Sequence, residues 1–559
     1  MRVRWFVEMP SLALAGAWLL VACAPTTSAP SAPAAPGAPE APTAAAKPEP
    51  KYGGILQYSC TTAPVGLNPY VSAGSAEERT MGAAFDTLTH WKHEVDVDYR
   101  NDFIVEPWLA ERWEQKDATT YILYLRKGVK WHDGQEFTAD DVVFSLNYGV
   151  DPANRLRIRS DAFAHVKVAE KIDQYTVRVI ARGEVPNFLS AFAERIAFML
   201  PKHIHDRDEL GKVVVGTGPF IFQLKDYDAN KGALVLRNPN YWQAGRPYLD
   251  GVRCFYGMQA QHEDAAFVSG QLDIVHRNDR VQLQTLQRSV QGLQHATISV
   301  QSGLAILPKV DQKPWDDVRV RKATHLAVDR QALKQAALFG DGIINPPGMP
   351  GDKEGWAIPP EELLKLPGYR QPKDQDIAEG KRLLAEAGHA GGIKTTLTYG
   401  TNLTLGVRQA EPLQAMLAKI GINATLRPLP IAEARAVEEK GDFELMMQNT
   451  ADHQMKTQFE HMDANGNAYS GINDQRLTEL LYRATRSRDT NEARKAALEM
   501  QRHLLETNWI IPTIAPLSFP MWQQWVFDYV YEPSNVNRIT RSQAYRVWMD
   551  VAKMPADRR

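Results

Sequence analysis

Cysteine is scarce: 3 in 559 residues, at positions 23, 60 and 254. None stands in a C-x-x-C pair or at metal-ligand spacing, which excludes the redox and zinc classes built on such spacing. Charge imbalance is missing as well. With 64 Lys and Arg against 66 Asp and Glu, the net charge is −2, so no nucleic-acid partner is expected. After the first 22 residues no stretch reaches the roughly 20 apolar residues that a membrane span needs. Catalytic signatures are absent too: no G-x-S-x-G elbow, no H-E-x-x-H, no phosphate-cradling loop. Gly216-Thr-Gly218 is too short to count as one. No internal repeat is found. These absences leave an expectation of no enzyme activity, no metal and no cofactor.

What is present begins at the N-terminus. Arg2 and Arg4 precede an almost unbroken apolar run, Ser11 to Ala22, with Glu8 the one untidy residue. The run fits the roughly 7–15-residue hydrophobic region of a cleavable secretory signal. It ends in Leu20-Val21-Ala22-Cys23, which resembles the lipobox of bacterial lipoproteins. Met1–Ala22 is therefore expected to be a signal peptide and Cys23 the lipidated residue. A single acyl chain anchors only marginally, but two or three chains on one cysteine hold stably. Residues 23–50 contain almost only Ala, Pro, Ser, Thr and Gly beyond the cysteine. Such a segment cannot offset its ordering entropy by burial. At about 3.1 Å per residue it reads as a semi-stiff tether up to roughly 80 Å long.

The body, Lys51 to Arg559, exceeds the roughly 250–300 residues at which single cores stop growing, so at least two lobes are expected. Its 23% charged and 44% apolar residues are ordinary for a globular chain. Cys60 and Cys254 form one disulfide or remain two buried thiols; both readings stand. Gly54 to Ser59 and Thr120 to Leu125 read as strands. Thr138-Ala-Asp-Asp141 reads as a helix start, with Thr138 as N-cap. In the C-terminal half, Ile393–Tyr399, Gln409–Ile420, Ile422–Leu426 and Phe443–Met447 read as strand, helix, strand, strand. That is a βαβ unit and implies a parallel sheet. Ligands of open α/β sheets bind outside the carboxyl ends of the strands. The polar segment Gln448-Asn449-Thr450-Ala451-Asp452-His453 stands at such an end. Arg408, past the strand ending near Tyr399, is a candidate contact for an anionic ligand group, against the plainer reading of a solvated charge at a helix start. His203 and His205 share one face of a strand and read as structural. Trp108, Trp113 and Trp131 read as core, and His453 and His461 flank the polar segment.

Three blocks then carry a resemblance: Leu109 to Glu114, Tyr121 to Gly134 (YILYLRKGVKWHDG) and Phe137 to Phe144 (FTADDVVF). In order and spacing they resemble family 5 of the extracellular solute-binding proteins, the peptide-, dipeptide- and nickel-binding components of ABC importers. Gly216 to Phe220, Asn238 to Trp242, Ser269 to Asp273, Val318 to Ala323 with Ala327 to Arg330, and Leu383 to Gly388 agree, so the resemblance spans roughly Tyr52 to Asp528.

The resemblance implies an α/β, two-lobe periplasmic-binding-protein clamshell, type II-like, of the large cluster with an extra N-terminal subdomain. Lobe I would comprise Lys51–Gly74, His205–Val275 and Ala515–Arg559, the inserted subdomain Ser75–Ile204, and lobe II His276–Ile514. Cys60 and Cys254 would then share lobe I, which favours their pairing. In peptide-binding members a Gly-Trp-x-x-Asp segment supplies the carboxylate that pairs with the ligand's α-ammonium. Its match here is Gln448-Asn449-Thr450-Ala451-Asp452, with Asp452 kept and Gly-Trp replaced by Gln448-Asn449. The implied ligand contacts are Asp452, Asn449, Gln448, His453 and Arg408. The implied role is a monomeric, lipid-anchored receptor on the outer face of the cytoplasmic membrane of a single- or double-membraned bacterium, in the periplasm where there is one. It captures a peptide-like or other small polar solute and delivers it to ABC permease subunits. The competing expectation is a surface lipoprotein on the same fold with a sensory, chaperone or hydrolytic role.

Overall fold

The computed structural model describes residues 48–60, 62–72, 75–91, 105–154, 156, 158, 163–184, 188–194, 196–299, 303–349, 355–401, 404–451, 470–487, 489–529 and 545–559. The signal, Cys23 and the tether through Lys47 lie outside them.

The strand Ile55–Cys60 sits at the heart of the first sheet. Leu56, Tyr58 and Cys60 alternate along it and are buried, the period of two that a pleated strand imposes. It runs parallel to Gly251–Tyr256 on one side and to Ile274–Arg277 on the other. Gly232–Arg237 and Phe220–Phe222 extend the sheet antiparallel beyond the first neighbour, and Leu517–Trp522 beyond the second. The short strands Gln294–His295 and Ile298–Ser299 both pair with Leu517–Trp522, completing eight strands. A lobe division at His276 therefore cuts a paired strand. Backbone hydrogen bonds hold the segment as far as Ser299 to the first sheet. Cys60 and Cys254 are joined by a disulfide between adjacent parallel strands, their Cα atoms 5.8 Å apart, inside the span a bridge allows.

A second, four-stranded antiparallel sheet holds Ala110–Gln115, Thr120–Leu125, Thr176–Ala181 and Val166–Asp173 in that order. Helix Ala139–Val150 packs beside it and begins as its sequence requires: the Asp141 carboxylate accepts the Thr138 N–H at 2.9 Å. Leu123, Trp131 and Val177 share one continuous hydrophobic cluster with Leu56, Tyr58 and Val252. The inserted segment thus extends the first sheet's core rather than building its own. Trp108 and Trp131 are buried, and Trp113 packs half-buried against the same cluster. His203 and His205 are corrected from strand to helix. They lie on the single turn Lys202–Asp206, which Pro201 precedes, and His203 Nε2 pairs with Asp133 at 2.7 Å.

The third sheet contains the three strands read from the C-terminal half and two more, Gly303–Pro308 and Ile511–Pro512. Its order is Ile422–Leu429, Ile393–Gly400, Leu445–Ala451, Gly303–Pro308, Ile511–Pro512. The first three strands are parallel, connected by the helices Thr404–Ala418 and Ile431–Lys440. Side chains alternate between two cores. Leu304, Ile306, Leu445 and Met447 face one, while Leu307 and Met446 face the other. Helices on both faces are what a parallel sheet requires, since neither face can meet water. The chain passes between the first and third sheets twice, after Ser299 and between Ile511–Pro512 and Leu517–Trp522. Buried Arg330 braces the second passage: its guanidinium donates to Pro512 O at 2.9 Å and to Gly368 O at 2.6 Å, stacked over Tyr369.

Candidate functional site

The carboxyl ends of the parallel strands in both sheets carry polar clusters. In the first sheet, helix Ala260–Val268 begins just past the end of Gly251–Tyr256, with Glu263 in its first turn, where a carboxylate complements the helix dipole. Glu263 accepts from the Ser59 hydroxyl and pairs with Arg277 NH1 at 2.8 Å. Arg277 Nε donates to Asp264 at 3.0 Å, and its NH2 to Ala260 O at 3.1 Å. Arg277 is 7% exposed, so its charge is stabilised by these partners rather than by water. Beside it, His276 Nε2 bonds the Ser518 hydroxyl. One cluster thus ties the ends of three strands to a helix start.

The third sheet offers the matching edge. Arg408 lies near the start of helix Thr404–Ala418, just beyond the end of Ile393–Gly400. Its NH1 stands 3.7 Å from Asp279 Oδ2, and Asp279 follows the first-sheet strand Ile274–Arg277. The two carboxyl edges therefore meet at this pair. Gln448 lies on Leu445–Ala451, opposite Ala305 and half-buried, and donates to Glu438 of the helix Ile431–Lys440. Asn449 follows it, opposite Leu304. Asp452, His453 and His461 lie outside the described residues, as does Cys23. Of the five ligand contacts expected from sequence, Gln448 and Asn449 are corrected from a segment past the strand to the middle of the strand Leu445–Ala451, which runs four residues beyond Met447. Arg408 stands at the edge nearest the first sheet.

Sequence reading did not find Glu263, Asp264, Arg277, Asp279, Arg280 and Asp341. The only local signal among them was Asp279 as a helix N-cap, its carboxylate accepting from Val281 N at 2.8 Å. Among the described residues no group of three or more His, Cys, Asp or Glu could hold a metal ion, and no helix is long and apolar enough to cross a membrane.

Two α/β sheets linked by two passages, with charged carboxyl edges turned to each other, define a two-lobe clamshell of the periplasmic-binding type. The chain belongs to the bacterial extracellular solute-binding proteins of family 5: the family's "Middle" model matches residues 105–469. Among characterised relatives, the glutathione-binding protein GsiB of Escherichia coli (strain K12) is 27% identical over 340 residues, 60% of this chain and 64% of that protein. The heme-binding protein A of Haemophilus influenzae is 26% identical over 464 residues, 77% of this chain and 79% of that one. The chain spans about two thirds of the length of the GsiB relatives it matches, 65% for that of Salmonella choleraesuis. Among solved structures, the oligopeptide-binding protein AppA of Bacillus subtilis, bound to a nonapeptide, superposes with a TM-score of 0.70 at 21% identity, over 90% of this chain and all of that one. HbpA2 of Haemophilus parasuis gives 0.73 at 23% identity, over 89% of this chain and 100% of that one. These structures share the fold.

Proposed function

We propose that this protein is the receptor of an ABC importer and captures a small peptide-like solute between the two carboxyl edges. The observation that carries this reading is the meeting of those edges at Arg408 and Asp279, with Gln448 and Asn449 on the neighbouring strand Leu445–Ala451. Relatives named for glutathione and structures bound to peptides support the same class. Such ligands carry both an ammonium and a carboxylate. A buried ammonium needs a paired carboxylate, and Asp452 is the residue assigned to it. Asn449, Gln448, His453 and Arg408 line the same site. The protein acts as a monomeric, non-enzymatic binding protein, exported under the signal Met1–Ala22 and anchored by lipid on Cys23. Residues 23–50 keep it within reach of its permease, at an effective concentration up to about millimolar. The lobes divide at the two passages: residues 51–299 with 517–559 form one, including the inserted subdomain, and residues 303–515 the other.

Glutathione and a set of peptides from two to nine residues, each tested by thermal denaturation, check this. A ligand at 100 times its Kd stabilises by about 2.7 kcal/mol, a readily measured rise in Tm. Asp452→Asn is expected to weaken the same ligand by roughly 3–5 kcal/mol, the cost of stranding a buried charge. No Tm rise with any member at millimolar concentration overturns the reading. An unchanged affinity in Asp452→Asn overturns the assignment of the ammonium.

A further inference from the structure

Asp279 and Arg280 stand side by side where strand Ile274–Arg277 gives way to helix Arg280–Ser289. Each reaches a residue belonging to the other lobe. Arg280 Nε lies 2.8 and 2.7 Å from the two carboxylate oxygens of Asp341. Asp279 Oδ2 lies 3.7 Å from Arg408 NH1. The polarity of the two pairs is opposite, the acid being on the first-sheet side in one and on the third-sheet side in the other. A slip that exchanged partners would set Asp279 against Asp341 and Arg280 against Arg408. The pairs therefore specify one register between the lobes by repulsion as well as attraction.

The Arg280–Asp341 pair lies beside the second passage between the sheets. Asp341 precedes Gly342 and the strand Ile343–Ile344, which pairs with Ile514–Ala515 just before the chain enters Leu517–Trp522. A Cβ on Gly342 would stand 2.6 Å from Ala515 O, so this turn is pressed against the passage. On the other side, the Arg280 guanidinium lies 5.1 Å from the ring of Phe519. Both arginines keep 41% side-chain exposure. Half-exposed pairs of this kind are weak and salt-sensitive, so a motion that parts the lobes can break them at small cost. Asp279 is held in place for its role: one oxygen caps its helix through Val281 N, and the other faces Arg408.

We propose that Asp279–Arg408 and Arg280–Asp341 form a latch that sets the register of closure and favours the closed form before any ligand arrives. Asp279 is then a positioning residue, and Arg408, which lines the site, positions the lobes as well. The proposal rests on the two-lobe clamshell and is independent of which solute is bound. Each pair shifts the closed-to-open ratio by about 1.4- to 5-fold, and the two together by up to about 25-fold if they add.

The test is single-molecule energy transfer on the ligand-free full chain, with dyes at the exposed positions Lys225 and Lys381, one on each lobe. At low salt, Arg408→Gln, Asp279→Asn and Arg280→Gln are each expected to lower the closed population up to fivefold and to flatten its salt dependence. Asp279→Asn keeps a good N-cap, so helix fraying does not confuse the reading. The reversal Arg280→Asp with Asp341→Arg is expected to restore the population that either single change loses. Wild-type populations in all three single variants, a reversal no more closed than its parts, or a wild-type chain with no closed population at low salt overturns the latch. So does an Arg408→Gln protein that loses ligand-induced stabilisation while its ligand-free populations stay put, which makes Arg408 a ligand contact only.

Discussion

At the residue scale, the sequence blocks that looked like family signatures turn out to be mutual supports. His132, in the block Trp131-His-Asp-Gly134, accepts the Gly216 N–H on Nδ1 at 3.2 Å and places Nε2 3.0 Å from Gly218 O. That pairing uses the neutral ring with its proton on Nε2, and burial pushes the His132 pKa down to about 4. A Cβ on Gly216 would stand 1.8 Å from Ala84 O, so close backbone packing explains the glycine. Because the folded His132 pKa lies below its unfolded value near 6.5, stability is complete above pH 6.5 and falls as pH drops toward 4. At about 1.36 kcal/mol per unit, the loss is on the order of 2–3 kcal/mol. Urea midpoints measured across that range are expected to fall in the wild type more steeply than in His132→Asn. Nothing local in the sequence joined His132 to Gly216, because the contact spans 84 positions.

At the scale of elements, period-two and helical spacing were legible wherever one face is buried. Three of the five strands of the third sheet were read: Ile393–Tyr399 extends one residue to Gly400, Ile422–Leu426 extends to Leu429, and Phe443–Met447 moves to Leu445–Ala451, while Gly303–Pro308 and Ile511–Pro512 were not read. The short strands Gln294–His295 and Ile298–Ser299 were not legible, since two residues carry no period. Their pairing with Leu517–Trp522 holds residues 294–299 to the first sheet. The disulfide stood as one of two readings from sequence, and strand pairing resolves it. Cys60–Cys254 closes a separation of 194 residues, for which the chain-entropy model gives about 5 kcal/mol and removal from native proteins typically costs about 2–5. The variant Cys60→Ser with Cys254→Ser is expected to lose stability in that range by denaturant unfolding. Reductant is expected to lower the wild type to the same value and leave the variant unchanged.

At the scale of the whole molecule, the two ends of the body are locked together. Arg558 pairs with Asp273 at 2.9 Å and donates to Ile55 O at 3.1 Å, while Asp273 also accepts from Gln57 N and from Trp525 Nε1. Both side chains of the ion pair are almost fully buried. Burial pushes Asp273 upward and Arg558 opposes it. Arg558→Gln is expected to cost roughly 3–5 kcal/mol by leaving that carboxylate without its cation. Adding Asp273→Asn is expected to recover part of the loss, measured in the same denaturant series. A tail that returns to the first strand also explains why one lobe is assembled from segments distant in sequence.

The sequence by itself determined the composition class, the βαβ half, the helix start at Thr138 and the family, because propensity, period and short motifs are local quantities. Only the tertiary structure decided the disulfide, the pairing of residues 294–299 with the first sheet, and the charged seam of Asp279, Arg280, Asp341 and Arg408. Each of these depends on which strands pair and which edges meet. That is fixed by burial and backbone hydrogen bonding between segments hundreds of residues apart, and no local pattern records it.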